Sequence, residues 1–264
     1  MIGARMVENN EYTGFFAEFY DRLHESNDDI NAYIQFGKKY GPRILELGSG
    51  TGRILIPLAK AGYFVTGLEF SQDMINIAAQ KLNKESLTTI ERCTMLNGDA
   101  ANFLLDQVFD LIIAPCNFIN HFPAFEQLEL VLSCIKKHMT TSTVLVIDNS
   151  MPALKAWIET NGKEEVFEFD GPDQDKKIID RFTASFDFIH QIETDHIILE
   201  EYRKDRLIRQ AECRVELSYY FPRELQYLLT SNGFAIFHQQ GSTTKDIPID
   251  MKADEMVFCC RKLS

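Results

Sequence analysis

The sequence is poor in features that several classes of protein require. Positive charge is scarce: 27 Lys and Arg residues stand against 39 Asp and Glu residues, which gives a formal net charge of −12 and a pI near 5.0. A surface this acidic repels phosphate backbones, so we expect no nucleic-acid partner. The longest apolar segment, residues 108–119, is well short of the about 20 residues that a membrane-spanning helix needs. The first residues lack the apolar core of a signal peptide, so we expect a cytoplasmic protein without a membrane partner.

Patterns typical of disulfides and zinc sites are also missing. The six cysteines include no C-x-x-C pair and no Cys/His cluster with zinc-finger spacing, so we expect reduced thiols. Hydrophobic residues make up 45% and charged residues 25% of the chain, which are ordinary values for a globular protein. A length of 264 residues fits one large domain, or one domain with a sizeable insertion.

Strands and helices are predicted to alternate over the first 150 residues. Apolar residues at helical spacing predict helices over 15–23 and 30–36, the second capped by Asn27 or Asp28. Later helices are predicted over 54–61, 71–82 with Ser71 as N-cap, and 125–138. Buried strands are predicted over 43–47, 63–68, 89–96, 108–114 and 143–148. This alternation indicates βαβ units and a doubly wound α/β fold with a mostly parallel sheet.

The pattern changes after residue 149. A short helix is predicted from about Pro152 to Trp157, followed by antiparallel strands between residues 166 and 220. A helix over 223–231 and strands over 234–239 and 255–261 complete a seven-stranded sheet. The antiparallel block therefore reads as an insertion near the end of the α/β domain.

A glycine-rich turn is the strongest motif. It reads Glu46-Leu-Gly48-Ser49-Gly50-Thr51-Gly52-Arg53, follows a predicted strand and opens a predicted helix. Glycine lets the backbone adopt positive φ and approach a ligand, and a helix N-terminus offers free N–H groups. Dinucleotide sites use G-x-G-x-x-G, but Arg53 stands where the third glycine would be.

The turn resembles the first motif of the class I S-adenosylmethionine-dependent methyltransferases, and further motifs follow in the same order. Gly67-Leu-Glu69-Phe70-Ser resembles the end of the family's second strand, whose acidic residue binds the ribose hydroxyls. Asn97-Gly-Asp99-Ala100 resembles the third-strand motif, whose Asp meets adenine, and Phe109–Asn117 resembles the fourth. The resemblance implies a Rossmann-like methyltransferase fold and S-adenosylmethionine as cofactor. The implied cofactor-binding residues are Tyr20, Glu46, Gly48, Ser49, Gly50, Thr51, Gly52, Arg53, Glu69, Phe70, Met74, Asp99, Ala100, Pro115 and Cys116.

A narrower resemblance links the chain to small-molecule N-methyltransferases of natural-product pathways, such as sugar N,N-dimethyltransferases and toxoflavin N-methyltransferase. It is carried by F-Y-D-R-L before the core and by C-N-F-I-N-H-F after the fourth strand. It implies a small-molecule acceptor, with His121 as general base and Tyr12 against the substrate. Each of these residues also has a purely structural alternative. These alternatives are packing near Pro123 for His121, aromatic packing for Tyr12, a solvated surface position for Arg53 and a core position for Met74.

The resemblance divides the chain into four segments. Residues 1–40 form an N-terminal helical cap, and residues 41–150 form the cofactor-binding core. Residues 151–220 form the insertion, which serves as a substrate lid or a homodimer surface, and residues 221–264 complete the sheet.

Two other functions and a metal site are open alternatives. One function is an NAD-dependent oxidoreductase on a similar sheet, and the other is a non-catalytic domain that only binds the cofactor. Asp148-Asn149 resembles part of the magnesium site of catechol O-methyltransferases. The region after the fourth strand lacks the other carboxylate of that site, so we expect no metal.

Overall fold

The computed structural model describes residues 12–23, 27–171, 173 and 175–263. Its strands are β1 Arg43–Leu47, β2 Phe64–Glu69, β3 Cys93–Asn97, β4 Phe109–Ala114, β5 Met139–Ser150, β6 Glu164–Asp170, β7 Lys176–Asp187, β8 Ile192–Arg203, β9 Arg206–Ser218, β10 Phe234–Gln240 and β11 Glu255–Lys262. Its helices are α1 Gly14–Leu23, α2 Ile30–Tyr40, α3 Leu55–Lys60, α4 Gln72–Leu82, α5 Leu87–Ile90, α6 Phe125–Lys137, α7 Leu154–Thr160 and α8 Pro222–Ser231, with a 3-10 helix over Phe118–His121. No helix in these ranges is long and apolar enough to cross a bilayer.

The chain forms two compact units. Among the described residues, the larger unit contains residues 21–152 and 220–263, and the smaller contains residues 12–20 and 153–219.

The larger unit is built on a seven-stranded sheet with the order β10-β11-β5-β4-β1-β2-β3. Strands β1 to β5 pair in parallel, and β11 runs antiparallel to both β5 and β10. The predicted fold class, a doubly wound and mostly parallel seven-stranded sheet, is therefore confirmed. The carboxyl ends of β1, β2, β4 and β5 meet at one edge, where ligands of open α/β sheets bind.

Both faces of this sheet are covered, which explains the continuous apolar runs of its central strands. Ile112 and Ile113 are consecutive in β4, belong to the apolar clusters on opposite faces, and are both fully buried. Burying such a side chain stabilises the fold by roughly 1.5–3 kcal/mol. The core therefore fixes the strand ends, and hence the site, rigidly.

Several local predictions in the larger unit were wrong, including the bounds of β5, which runs from Met139 to Ser150. The third strand was predicted over 89–96 but begins at Cys93, because Ser86 caps the short helix α5 by accepting a hydrogen bond from the Thr89 amide at 3.3 Å. The N-cap of α2 is Asp29, not Asn27 or Asp28, and its side chain makes no capping hydrogen bond. The predicted N-cap Ser71 is confirmed, since its hydroxyl accepts from the Met74 amide at 3.3 Å.

The smaller unit contains the antiparallel sheet, in the order β6-β7-β8-β9. Each strand pairs with the next in the chain, as the sequence predicts for the insertion. Trp157 of α7 stacks on Phe186 with ring centroids 4.8 Å apart and meets Tyr219 edge to face at 4.8 Å. Helix α7 extends to Thr160, past the predicted end at Trp157.

His138 is a buried hydrogen-bonding element of the core, and its loss is expected to destabilise the larger unit. Its Nε2 accepts from the Leu105 amide at 2.8 Å, so Nδ1 carries the proton and donates to the Cys134 carbonyl at 2.7 Å. The ring also stacks on Phe103, with centroids 4.5 Å apart. We expect His138→Leu to lower the free energy of unfolding by about 2 kcal/mol, because both backbone groups lose their partner.

Urea unfolding checks this prediction. The matched control is His190→Leu, because the His190 side chain is 75% exposed and its Nδ1 lies 2.7 Å from the neighbouring carboxylate of Asp187. A shift equal to that of the control would show that the buried imidazole contributes nothing specific.

Candidate active site

The glycine turn joins β1 to α3 and leaves one side of its backbone open. Gly48, Gly50 and Gly52 have φ values of +67°, +53° and +80°, which other residues rarely adopt. A Cβ atom on Gly48 would lie 2.6 Å from the Phe118 ring, whereas one on Gly50 would meet nothing nearer than the Gly48 carbonyl oxygen at 4.0 Å. The turn is thus closed at Gly48 and open at Gly50, where a ligand can approach the backbone.

Glu69, at the end of β2, faces this open turn. Its carboxylate accepts from the Gly50 amide at 2.9 Å and from the Ser71 amide at 2.8 Å, so it ties the glycine turn to the next loop. Burial raises the pKa of Glu69, and the backbone donors partly offset that rise. The Phe70 amide is a third backbone donor to this carboxylate. A carboxylate has about four acceptor positions, so at least one remains for a ligand hydroxyl.

Glu46 is the most buried carboxyl group at the site. Its side chain is 2% exposed, and one carboxyl oxygen, Oε2, has no hydrogen-bond partner among the described residues. Burial raises the pKa of Glu46 well above its usual range. A buried oxygen without a partner is costly, so this atom marks a position for a donor from outside the protein.

Arg53 is not a solvated surface residue, the alternative considered from the sequence. Its guanidinium binds the Asp29 carboxylate with two bonds of 2.6 and 2.7 Å, and its side chain is 17% exposed. The same guanidinium lies 2.8 Å from Cys116 Sγ. Thr51, buried beside it in the turn, donates to the Asp21 carboxylate at 2.6 Å. Ser49 is also buried, at 5% exposure.

The residues predicted near adenine differ in exposure. Phe70, which follows Glu69, is 78% exposed. Met74 is 1% exposed, so it lies in the core, as its structural alternative proposed. Asp99 is exposed and accepts from the Ala101 amide at 2.8 Å, and Ala100 is buried. Their contacts with adenine stay predictions.

The turn after β4 is strained and held by the end of β5. Following the buried Pro115, Cys116 and Asn117 have φ values of +58° and +59°, which cost energy in residues other than glycine. The Cys116 amide donates to Asp148 Oδ1 at 2.5 Å, and the Ser150 amide donates to Asn117 Oδ1 at 2.6 Å. The end of β5 therefore stabilises a backbone conformation that the β4 turn would rarely adopt alone.

His121 ends the 3-10 helix that follows this turn. It is half-buried, and burial lowers the pKa of its imidazole to about 4. The side chain is thus neutral at neutral pH, and a neutral imidazole is the form that can accept a proton. The preceding residue, Asn120, accepts a hydrogen bond from Asn149 of β5, so β5 also holds the segment that carries His121.

Tyr12 and Tyr20 lie in the smaller unit. Their rings meet edge to face, with centroids 5.9 Å apart. Their predicted contacts with substrate and cofactor stay predictions.

Sequence reasoning missed the role of β5 in this site. Asp148 and Asn149 were weighed only as metal ligands, and in the described part of the chain no group of three or more His, Cys, Asp or Glu side chains is placed to hold a metal ion. Tyr33 of α2 also donates to Asp148 through its hydroxyl, a contact between residues 115 positions apart. The Asp148-Asn149 pair near a strand end was the available signal, but its partners are visible only in the fold.

Comparison with known proteins agrees with this geometry. Residues 44–140 match the family described as "Methyltransferase domain". A putative methyltransferase of Geobacillus sp. (strain WCH70) is 27% identical over 143 residues, 50% of this chain and 55% of that protein. A dTDP-3-amino-3,6-dideoxy-alpha-D-glucopyranose N,N-dimethyltransferase of Streptomyces fradiae is 26% identical over 146 residues, 52% of this chain and 54% of that protein. The chain spans about half the length of the curated relatives that it matches.

Solved structures extend the similarity to the whole fold. An S-adenosylmethionine-dependent methyltransferase from Clostridium acetobutylicum ATCC 824 superimposes with a TM-score of 0.76 at 15% identity, covering 94% of this chain and 98% of that one. The likeness shows that the chain has the fold of this structure, and the glycine turn lies between β1 and α3, as the motifs predicted. Within this fold, residues 44–140 are the part that matches the methyltransferase domain family.

Proposed function

We propose that the protein transfers a methyl group from S-adenosylmethionine to a nitrogen or oxygen atom of a small molecule. The observation that carries the proposal is the open turn at Gly50 between two buried carboxyl groups, Glu46 and Glu69. Glu69 has acceptor capacity left for a ribose hydroxyl, and Glu46 Oε2, which has no partner among the described residues, fits a further donor near the turn. The residues present therefore fit the cofactor.

The protein's own contribution to the reaction is to position the acceptor and to accept a proton. S-adenosylmethionine, when bound, supplies an electrophilic methyl group on a sulfonium sulfur. His121 accepts the proton that the acceptor's N–H or O–H group loses, since burial keeps its imidazole neutral. The turn after β4 fixes the direction from which His121 reaches the acceptor.

The small-molecule acceptor is supported by the Streptomyces fradiae relative, whose name describes an amino-sugar N,N-dimethyltransferase. The net charge of −12 supports it as well, because it disfavours nucleic acid. A homodimer through the insertion, a lid role for it, the four segments and a cytoplasmic location stay predictions.

Two measurements on the full chain test this function. Isothermal calorimetry is expected to show binding of S-adenosylmethionine and S-adenosylhomocysteine. A protein that binds neither compound would overturn the proposal. Consumption of the methyl donor across a panel of amines and phenols is expected for at least one acceptor. Binding without consumption would favour the non-catalytic alternative, and binding of NAD instead would favour an oxidoreductase.

A further inference from the structure

A small cavity lies at the carboxyl end of β5, beside the turn after β4. Its volume is about 60 Å³, enough for a group of a few heavy atoms. Buried residues form its floor, namely Asp148, Asn149 and Thr243, and Glu255 at the start of β11 lines one side. The exposed residues Cys116 and Ser150 also line it.

The cavity and the predicted cofactor residues lie at different positions along the sheet. Cavity residues come from the ends of β4, β5 and β11, whereas most predicted cofactor residues follow β1, β2 and β3. The turn after β4, which contains Cys116, borders both groups. A molecule in this cavity would therefore lie next to the cofactor and not in its place.

Two carboxylates of the cavity have no positive partner in the described part of the chain. The hydrogen bonds to Asp148 come from the Tyr33 hydroxyl and the Cys116 amide, and the Thr243 amide donates to Glu255. These donors are all neutral. Asp29, the third carboxylate of the lining, is by contrast neutralised by the guanidinium of Arg53.

Two further oxygen atoms of the cavity also lack a hydrogen-bond donor among the described residues. The amide oxygen Oδ1 of Asn149 and the hydroxyl oxygen Oγ1 of Thr243 are buried without a hydrogen-bond partner among the described residues. Their side chains are 2% and 4% exposed, respectively. Buried acceptors left unpaired destabilise a protein, so a ligand that donates several hydrogen bonds gains from binding here.

We propose that this cavity binds a protonated primary amine of the methyl acceptor, as a recognition group separate from the atom that is methylated. The inference rests on the proposed function. An alkylammonium group has one positive charge and three N–H donors, which match the carboxylates together with Asn149 Oδ1 and Thr243 Oγ1. A hydroxyl group has one donor and no charge, so it would leave both carboxylates uncompensated. A divalent metal is disfavoured, because no metal-binding cluster occurs among the described residues.

The ionisation of Asp148 makes this binding dependent on pH. The pKa of Asp148 is raised to about 7, chiefly by burial and also by the neighbouring Glu255 and Asp29, while the hydrogen bonds from Tyr33 and Cys116 oppose the rise. The carboxylate form increases as pH rises through about 7. Ammonium binding should therefore strengthen between pH 6 and pH 8, roughly the range in which Asp148 loses its proton.

The experiment uses methylammonium chloride as the probe and the full chain as the receptor. A proton NMR titration of the probe's methyl resonance is expected to give a dissociation constant in the millimolar range, which is the ceiling for so small a ligand. Tetramethylammonium, which has the charge but no N–H donor, and methanol, which has a donor but no charge, are expected to bind at least tenfold more weakly. Potassium chloride tests whether a plain cation suffices.

Matched variants locate the binding. Thr243→Val keeps the side-chain shape, and Glu255→Gln keeps the size while removing the charge, so each is expected to weaken methylammonium binding about tenfold. Their controls are Thr244→Val and Glu129→Gln, at exposed positions, which should leave binding unchanged. Near-ultraviolet circular dichroism checks that each variant is folded.

Three outcomes would overturn the inference. They are equal binding of methylammonium and methanol, tighter binding of potassium, and equal losses in variants and controls. Titration of S-adenosylmethionine on the same samples separates this inference from the proposed function. A protein that binds the cofactor and consumes the methyl donor but ignores methylammonium would contradict the inference alone.

Discussion

Replacement of His121 by asparagine is expected to lower the rate of methyl transfer about a hundredfold and to leave the affinity for S-adenosylmethionine unchanged. A positioned general base contributes roughly a hundredfold or more to such a rate, and asparagine keeps a polar side chain that cannot accept the proton. The cofactor affinity should be unaffected, because the glycine turn and Glu69 belong to other strand ends. Single-turnover measurements with saturating cofactor and a reactive acceptor give the rate.

The pH dependence of the same reaction gives an independent check. Because burial lowers the pKa of His121 to about 4, the base form is fully present above pH 6 and is lost as pH falls through about 4. The wild-type protein should therefore show no loss of rate from this group near pH 6.5, the usual pKa of histidine. The control is His238→Asn, on β10, whose side chain is 33% exposed. A rate retained in His121→Asn across this pH range would show that His121 is structural.

Replacement of Glu69 by alanine is expected to weaken binding of S-adenosylmethionine about a hundredfold. The variant loses hydrogen bonds from the ribose hydroxyls to a charged acceptor, together worth about 3 kcal/mol, and each tenfold in affinity corresponds to about 1.4 kcal/mol. It also frees the Gly50 amide, so the glycine turn loses the contact that fixes its open side. Isothermal calorimetry measures the affinity.

The stability of the same variant distinguishes the two roles of Glu69, which are to bind the ribose hydroxyls and to accept hydrogen bonds from the backbone. Loss of an acceptor for two backbone amides is expected to lower the free energy of unfolding by about 2 kcal/mol without cofactor. Glu91→Ala is the control, because this glutamate is exposed after α5. Unchanged affinity for S-adenosylmethionine in Glu69→Ala would exclude the ribose contact. If the stability is reduced at the same time, Glu69 has a purely structural role.

Local signals explain why the parallel sheet and the glycine turn were predictable. The apolar runs of β1 and β4 and the G-x-G-x-G spacing are each contained within a few consecutive residues. The same local reasoning failed at residues 89–92, where β-branched residues suggested a strand but the Ser86 cap started a helix. A hydrogen-bonding cap thus outweighed the intrinsic preference of Thr and Ile.

The cavity at β5 was not predictable, because its residues are assembled only by strand pairing. Glu255 reaches it since β11 pairs with β5 in a register that places Glu255 opposite Ser150. Thr243 lies in a polar loop with no periodicity, so its burial has no signal in the sequence. The structural role of Glu69, which accepts a hydrogen bond from the Gly50 amide, was not predictable for a similar reason. This contact depends on the pairing of β1 with β2.

The position of β11 beside β5 has a consequence for the order in which the protein folds. Strands β1 to β4 and the glycine turn lie within residues 43–114, and they pair through parallel crossovers of moderate length. The cavity needs Thr243 and Glu255, which are far along the chain from Asp148 and reach it only through the pairing of β11 with β5. Contacts between residues so distant in sequence must close a long loop, so they form late. We therefore expect the glycine turn to be formed before the cavity is.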